Sequence, residues 1–195
     1  MSQPMFVSAL QKITTGSLAL NELIVAAQQL TAANQPDLAR QLYQVWIAMN
    51  GEHPLLFIAH FNCSTLLAQG GDEAGALAAL RAALTINPDF APAHVNLGSA
   101  LERQGNAAAA VEQWKAGLER MAGVTGDAIE YKITLLKQLS RVLSDNQQHD
   151  AAEIALQQCL DLNNQQRDVI EQYAAVRLAA LDGVWDATEP GLVRP

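Results

Sequence analysis

Apolar residues recur along this chain at spacings of three and four, which is the period of an amphipathic α-helix. Short polar turns interrupt the pattern, as in "GGDEA" from Gly70 and "QGNAA" from Gln104, and Pro36 opens one of the apolar segments. Glycine followed by Asp or Asn is typical of one helix ending and the next being capped, and proline is favoured in a first helical turn. The pattern therefore predicts an all-α fold of about ten helices joined by short turns.

The predicted helices are organised as a repeat. Residues 57–90 and 91–124 align without a gap and are identical at nine of 34 positions. We expect a single domain over residues 1–181. The pattern predicts looser units at 23–56 and 133–166, a capping helix at 167–181, and an extended or disordered tail or linker at 182–195.

Small residues recur at fixed places within each unit, where they let two helices cross closely and let the next unit pack against them. The 34-residue period and this distribution of small, bulky and proline residues resemble the tetratricopeptide repeat. The resemblance implies a right-handed superhelical solenoid with a concave groove. The repeated small residues are Ser64, Ala76 and Ala83 in one unit and Gly98, Ala110 and Gly117 in the next.

Composition and charge narrow the function. Half of the residues are apolar and only 5% are aromatic, which suits helices packed on helices. The net charge of −8 and the lack of a Lys and Arg cluster argue against nucleic-acid binding. Neither a basic N-terminal segment before a long apolar run nor a run of about 18 apolar residues occurs, so we expect no membrane span and a cytoplasmic location.

The sequence contains no pattern typical of a catalytic or metal site. The four histidines, two cysteines and scattered carboxylates form no Ser-His-Asp, H-E-x-x-H, P-loop or G-x-G-x-x-G arrangement. Cys63 and Cys159 are isolated from each other and from any cluster of histidines, so both are predicted to be packing residues. We therefore expect no catalytic residue, no metal and no cofactor in this chain.

Two residues recur together in the clearest units, and we assign their recurrence to different causes. His60 and His94 fall at a half-buried slot that a hydrogen-bonded packing residue usually fills. Asn62 and Asn96 fall at a position that the repeat family turns toward the groove. Asn within a helix costs a few tenths of a kcal/mol relative to Ala, and packing does not require it there. An amide donates and accepts, so this pair predicts binding to the backbone of an extended peptide.

The same register continues the amide series to Gln138 and Gln172. Chance occurrence of four amides in a Gln-rich chain remains the alternative interpretation. A clamp for a terminal carboxylate is disfavoured, because it requires Lys or Arg where Phe61 and Val95 stand. The further candidates for peptide contact are Thr65, Ser99 and Arg103.

Three phrases carry a second resemblance: "ARQLYQVWIAMNGEHPLLFIAHFN", "NPDFAPAHVNLGSALERQGNAAAAVEQW" and "VTGDAIEYKITLLKQLSRVL". Over roughly residues 38–180 the chain resembles the N-terminal repeat region of bacterial SPINDLY-family proteins, relatives of O-linked N-acetylglucosamine transferase. The resemblance implies that Asn62 and Asn96 hold a substrate polypeptide, and that the parent protein is a UDP-sugar-dependent glycosyltransferase. The two glutamines of the series stand where that family has asparagines, and the tail around Trp185 lacks the Cys-x-Trp-Pro of the family.

The leading hypothesis is a non-catalytic peptide- or protein-binding domain, the substrate-recognition segment of an O-linked glycosyltransferase-like protein. The alternative is a stand-alone adaptor for protein assembly or homo-dimerisation. It would use apolar residues of the terminal segments: Phe6, Val7 and Leu10 at one end, and Val184 and Trp185 at the other. An enzyme in its own right is disfavoured.

Overall fold

The computed structural model describes residues 2–123, 125–163 and 166–188. Within these ranges the chain is helical and contains no strand, which confirms the all-α prediction. A short 3-10 turn at Gly126–Ala128 precedes the eighth helix. The α-helices are α1 (Ser2–Thr14), α2 (Leu20–Ala32), α3 (Pro36–Met49), α4 (Leu56–Gln69), α5 (Glu73–Ile86), α6 (Ala91–Arg103), α7 (Ala107–Arg120), α8 (Ile129–Asp145), α9 (His149–Leu162) and α10 (Arg167–Thr188).

The chain divides into two compact units, Met1–Ala100 and Leu101–Pro195, and the division falls within α6. In the first unit α1 packs on α2 and α3, α2 packs on α3, α3 on α4, and α4 on α5. The indole N–H of Trp46 donates to the carbonyl oxygen of Leu18 at 3.1 Å and so ties the α1–α2 connection to α3. In the second unit α8 packs on α7 and α9, and α9 packs on α10. The prediction that residues 1–181 form one domain stays a prediction.

The small residues that define the repeat lie where helices approach each other. The serines at the corresponding slots of α4 and α8, Ser64 and Ser140, are buried and donate to carbonyl oxygens three residues earlier on their own helices. Their hydroxyls therefore leave no unpaired donor in the core. The alanines at the helix-crossing position, each at most 1% exposed, are Ala39, Ala76, Ala110 and Ala152.

The turns that join α2 to α3, α4 to α5, α6 to α7 and α8 to α9 close with the same hydrogen bonds. After α4, Gly71 has a φ of +83°. Its N–H donates to Ala68, and the N–H of Asp72 donates to Leu67 at 2.9 Å. This pair of bonds is a Schellman ending, which needs a residue in the left-handed region. The residues with positive φ at the equivalent points are Asn34, Gly105 and Gln147.

The predicted helix caps are present. A side-chain oxygen of Asp72 accepts from the N–H of Gly75 at 2.8 Å, and that of Asn106 accepts from the N–H of Ala109 at 3.1 Å. These bonds satisfy donors that the first turns of α5 and α7 would otherwise leave unpaired. At the start of α9 the same point is occupied by Gln148, whose backbone angles are similar but whose side chain makes no cap bond.

His94 and the two cysteines pack as predicted, whereas His60 has no hydrogen-bond partner among the described residues. A ring nitrogen of His94 lies 2.8 Å from the carbonyl oxygen of Pro88, and His94 is 6% exposed. His60 is half-buried, and burial lowers the pKa of its imidazole. Cys63 and Cys159 are free and buried, and burial raises the pKa of each thiol to about 11. These residues therefore serve the core.

The last helix is longer than predicted. The sequence pattern places its end at Leu181 and an extended or disordered tail after it, whereas α10 continues through Thr188. The physical reason is that the segment after Leu181 contains only one helix-weakening glycine, Gly183, and no proline before Pro190. A segment without apolar periodicity has no face to bury against a neighbouring helix, but its backbone can still be helical.

Replacing Gln148 by Asp is expected to stabilise the protein by about 1 kcal/mol, because the shorter carboxylate can accept from the N–H of Ala151 as Asp72 accepts from Gly75. Thermal unfolding of the variant measures the gain as a higher Tm. The matched control is Asp72→Ala, which should lose a similar amount. An unchanged or lower Tm in Gln148→Asp would contradict the assignment.

Candidate peptide-binding site

The first unit contains an open cavity of about 520 Å³ between α2, α3 and α4. Six polar and four apolar side chains line it, with apolar atoms forming most of the exposed surface, and we call it the amide cavity. From α2 and α4 it includes residues at positions that the repeat family turns toward its groove. The lining residues are Ile24, Ala27, Gln28, Thr31 and Ala32 of α2, Tyr43 of α3, and Asn62, Thr65, Leu66 and Gln69 of α4.

Asn62 is held in place inside this cavity. Its side-chain N–H donates to the hydroxyl oxygen of Tyr43 at 3.2 Å. Tyr43 is 3% exposed, because it fills the bulky position after Ala39 on α3. The bond uses one of the two N–H groups of the Asn62 amide, and within the described part of the chain the amide has no other partner. A donor and an acceptor of Asn62 therefore remain for a ligand.

Tyr43 adds a second polar group. Burial raises the pKa of its hydroxyl to about 12, an effect larger than the opposing one of the Asn62 hydrogen bond. The hydroxyl is therefore protonated at neutral pH, and it can donate its own hydrogen while accepting from Asn62. The pair presents a neutral and oriented set of hydrogen-bonding groups.

The threonines of the cavity can accept hydrogen bonds from a ligand. The hydroxyl of Thr31 donates to the carbonyl oxygen of Ala27 at 2.9 Å, and that of Thr65 lies 3.5 Å from the carbonyl oxygen of Phe61. Donation to the helix backbone leaves each hydroxyl oxygen as an acceptor. Both threonines are exposed.

No charged side chain lines the amide cavity. A terminal carboxylate held here would lack the Lys or Arg that such a clamp needs. The arrangement therefore suits uncharged polar groups such as the peptide bond.

Asn96 lies one repeat later on α6 in a different setting. Where the first repeat has Tyr43, the next has the buried Leu80, which offers no hydroxyl. Asn96 is half-buried, and its side chain has no hydrogen-bond partner among the described residues. The hydroxyl of Ser99 on the same helix donates to the carbonyl oxygen of Val95 at 3.0 Å. Asn62 and Asn96 occupy the same register position of the repeat. In the part of the chain that the structure describes, only Asn62 has a neighbouring side chain that holds it by a hydrogen bond.

Three aromatic rings form a cluster in the first unit, outside the lining of the amide cavity. The ring of Phe90 meets Phe57 and Phe61 edge to face, with centroids 4.9 Å and 5.2 Å apart. All three rings are half-buried. Such edge-to-face contacts fix the rings against one another and leave a partly exposed apolar surface.

In the second unit, charged side chains form a network with the predicted contact residue Gln138. One terminal guanidinium nitrogen of Arg141 donates to both carboxylate oxygens of Glu102, at 2.6 and 2.7 Å, and to the side-chain oxygen of Gln138 at 3.2 Å. The other terminal nitrogen lies 3.5 Å from Asp145. The predicted contact residue Gln138 therefore has its acceptor occupied by Arg141.

The remaining predicted residues lie apart from this network. Gln172 is half-buried on α10, and Arg103 is exposed at the end of α6. Nearby, the ammonium group of Lys137 pairs with the carboxylate of Asp168. A peptide-contact role for Gln138, Gln172 and Arg103 stays a prediction.

Sequence reasoning missed Tyr43 as a member of the site, along with the residues of α2. The repeat pattern accounts for Tyr43 only as the bulky packing residue of α3. Its hydroxyl was the available signal, since a buried tyrosine oxygen requires a partner. Gln28 and Thr31 were overlooked because Val25 interrupts the amide series on α2.

Among residues 2–123, 125–163 and 166–188, no helix has the length and apolar character needed to cross a membrane. No group of three or more His, Cys, Asp or Glu side chains among them is placed to hold a metal ion.

Comparison with known proteins identifies the fold. Family models described as "Tetratricopeptide repeat" and "TPR repeat" match residues 89–165 and 66–105. The chain thus has an all-α tetratricopeptide-repeat fold, a generally non-catalytic fold that mediates protein–protein interaction or assembly. No curated protein sequence matches the chain significantly.

Solved structures show the same fold at low sequence identity. BtubC (BKLC) from P. vanneervenii is 15% identical, with a TM-score of 0.71 over 100% of this chain and 96% of that one. A tetratricopeptide repeat protein from Parabacteroides merdae is 16% identical, with a TM-score of 0.71 over 85% and 61%. MamA is 13% identical, with a TM-score of 0.64 over 84% and 89%. At these identities the likeness extends to the fold alone.

The unequal support of the two asparagines predicts unequal effects on stability. Asn62→Ala is expected to lower the free energy of unfolding by about 0.5–1.5 kcal/mol, since it removes the hydrogen bond to the Tyr43 hydroxyl. Asn96→Ala is expected to change it by only a few tenths of a kcal/mol, because no internal bond is lost. Urea unfolding of both variants measures the difference.

A control isolates the hydrogen bond. In a Tyr43→Phe background, Asn62→Ala should cost much less than it does in the wild type. Equal costs for the two asparagines, or an unchanged cost in that background, would show that Tyr43 does not hold Asn62.

Proposed function

We propose that this chain is a non-catalytic peptide- or protein-binding repeat domain, in which groove amides hold the backbone of an extended polypeptide. The observation that carries the proposal is Asn62, fixed by Tyr43 with a donor and an acceptor left for a ligand. Asn96 provides a second amide on the next repeat, with Thr65 and Ser99 as further polar contacts. A peptide backbone offers the matching N–H and C=O groups whatever its side chains are.

The affinity is expected to be modest. Each hydrogen bond to a neutral amide contributes about 0.5–1.5 kcal/mol, because water is displaced from both partners. Fixing Asn62 before binding reduces the side-chain entropy that is lost on association. The edge-to-face cluster of Phe57, Phe61 and Phe90 supplies apolar contact area in the first unit.

Changing Asn62 and Asn96 together to Ala is expected to weaken peptide binding by about tenfold, the loss of two hydrogen bonds. Fluorescence anisotropy measures it, with a fluorescein-labelled, 12-residue peptide of Gly, Ser, Ala and Gln as the probe. The control is the double variant Asn21→Ala and Asn146→Ala, both exposed asparagines outside the amide cavity.

The comparison requires that the variants be folded at the temperature used, which circular dichroism verifies. An affinity that is equal in the wild type and the Asn62 and Asn96 double variant would refute backbone binding by these amides. So would an equal loss in the control variant.

A finer proposal is that the domain recognises the substrate of an O-linked glycosyltransferase-like protein. The support for it is the resemblance of the sequence phrases to the SPINDLY family. Neither the matched family models nor the similar structures point to a glycosyltransferase. The cytoplasmic location likewise stays a prediction.

The second candidate function is assembly of identical chains through an end of the array. On α1, Val7 is 59% exposed, whereas Phe6 and Leu10 are half-buried against the core of the first unit. The side chains of Val184 and Trp185, named for the other end, lie outside the described residues.

If α1 forms a dimer contact, the wild type should show twice the monomer mass in light scattering at high concentration, and Val7→Glu should restore the monomer by burying a charge. The control is Gln3→Glu, an exposed position on the same helix. A wild-type mass equal to one chain would refute this candidate.

A further inference from the structure

We propose that the amide cavity is a side-chain pocket that selects an uncharged hydrogen-bonding side chain, Asn, Gln, Ser or Thr, from the bound polypeptide. This inference rests on the proposed function and deepens it. The asparagines bind the peptide backbone whatever its side chains are. The pocket beside Asn62, in contrast, favours one class of side chain over others.

The pocket offers hydrogen bonds in both directions. Gln28, Asn62 and Gln69 carry amides, Thr31 and Thr65 carry hydroxyl acceptors, and Tyr43 carries a protonated hydroxyl. The shared feature is neutrality: every polar group of the lining can both donate and accept, or accepts while donating to its own helix.

A charged side chain is disfavoured because nothing in the lining compensates it. A charged side chain that enters the open cavity gives up part of its hydration and finds no counter-ion there. The pKa of Tyr43 supports this neutrality independently, since no Lys, Arg, Asp or Glu is among the causes of its shift.

A large apolar side chain is disfavoured for the opposite reason. It would cover the amide of Asn62 and the hydroxyl of Tyr43 and leave them without water or a partner. The apolar lining is limited to Ile24, Leu66 and two alanines, which suffices for the methylene groups of a glutamine.

Size and position fit a side chain together with its backbone. The cavity of about 520 Å³ exceeds the volume of one side chain, and Asn62 is part of its lining. A backbone bound at Asn62 therefore places a neighbouring side chain within the cavity. In an extended peptide alternate side chains point the same way, so guest residues at every second position offer the cavity a side chain in more than one register.

Two other cavities have charged linings. The cavity of about 370 Å³ between α1 and α2 includes Lys12 and Glu22, which pair with each other at 3.4 Å. The one of about 550 Å³ in the second unit includes Lys115 and Asp150. The amide cavity differs from both in its neutral lining.

The test uses the full chain and four fluorescein-labelled peptides of 12 residues. Gly, Ser and Ala form the host, and three guest positions at every second residue carry Gln, Glu, Lys or Leu. The wild type is expected to bind the Gln peptide about tenfold more tightly than the other three.

Variants at Gln28, which is exposed on α2, test the pocket directly. Gln28→Glu should improve binding of the Lys peptide about three- to fivefold, and Gln28→Lys should do the same for the Glu peptide, since each supplies the missing counter-charge. Gln41→Glu and Gln41→Lys are the matched controls, because Gln41 is exposed on α3 outside the lining.

The outcomes separate the two proposals. Equal binding of all four peptides by the wild type, together with a loss in the Asn62 and Asn96 double variant, would overturn the pocket and leave the backbone site intact. Equal effects of the Gln28 and Gln41 variants would also overturn the pocket. Binding of none of the peptides would refute both.

Discussion

The close crossing of two helices over a small residue is the constraint on which each repeat depends. Ala39, Ala76 and Ala152 are all at most 1% exposed, so a larger side chain at any of them would separate the helices of its hairpin. Once the crossing is fixed, the turn and the cap follow. The same Schellman bonds close the turns, with a positive φ at Asn34, Gly71, Gly105 and Gln147.

That constraint leaves the bulky position one helical turn later free to vary, and the variation shapes the site. Tyr43, Leu80, Trp114 and Leu156 all fill this position and are all buried. A residue at this position can hydrogen-bond a neighbouring amide side chain and also fill the core only if it is bulky and ends in a polar group. Tyr43 does so, because its ring contributes to the core while its hydroxyl accepts from Asn62. A packing residue thereby becomes part of a binding surface.

Much of this fold follows from local patterns. Asp72 and Asn106 cap helices as their spacing after glycine predicts, and His94 fills its slot with a hydrogen bond to Pro88. The residues that form these bonds lie only three to six positions apart in the sequence, so a local pattern is enough to predict them. The end of α10 was missed because apolar periodicity reports burial, and a helix can extend beyond its buried face.

The candidate site was only partly predictable. The sequence by itself determined the repeat, the small-residue crossings, and the placement of Asn62 and Asn96 at one register position. Tertiary structure alone decided that Tyr43 supports Asn62, that Leu80 leaves Asn96 without such support, and that Glu102 on α6 pairs with Arg141 on α8. The reason is that these contacts join different helices, and their distances depend on how far a side chain reaches across the packing, which the period of a single helix does not specify.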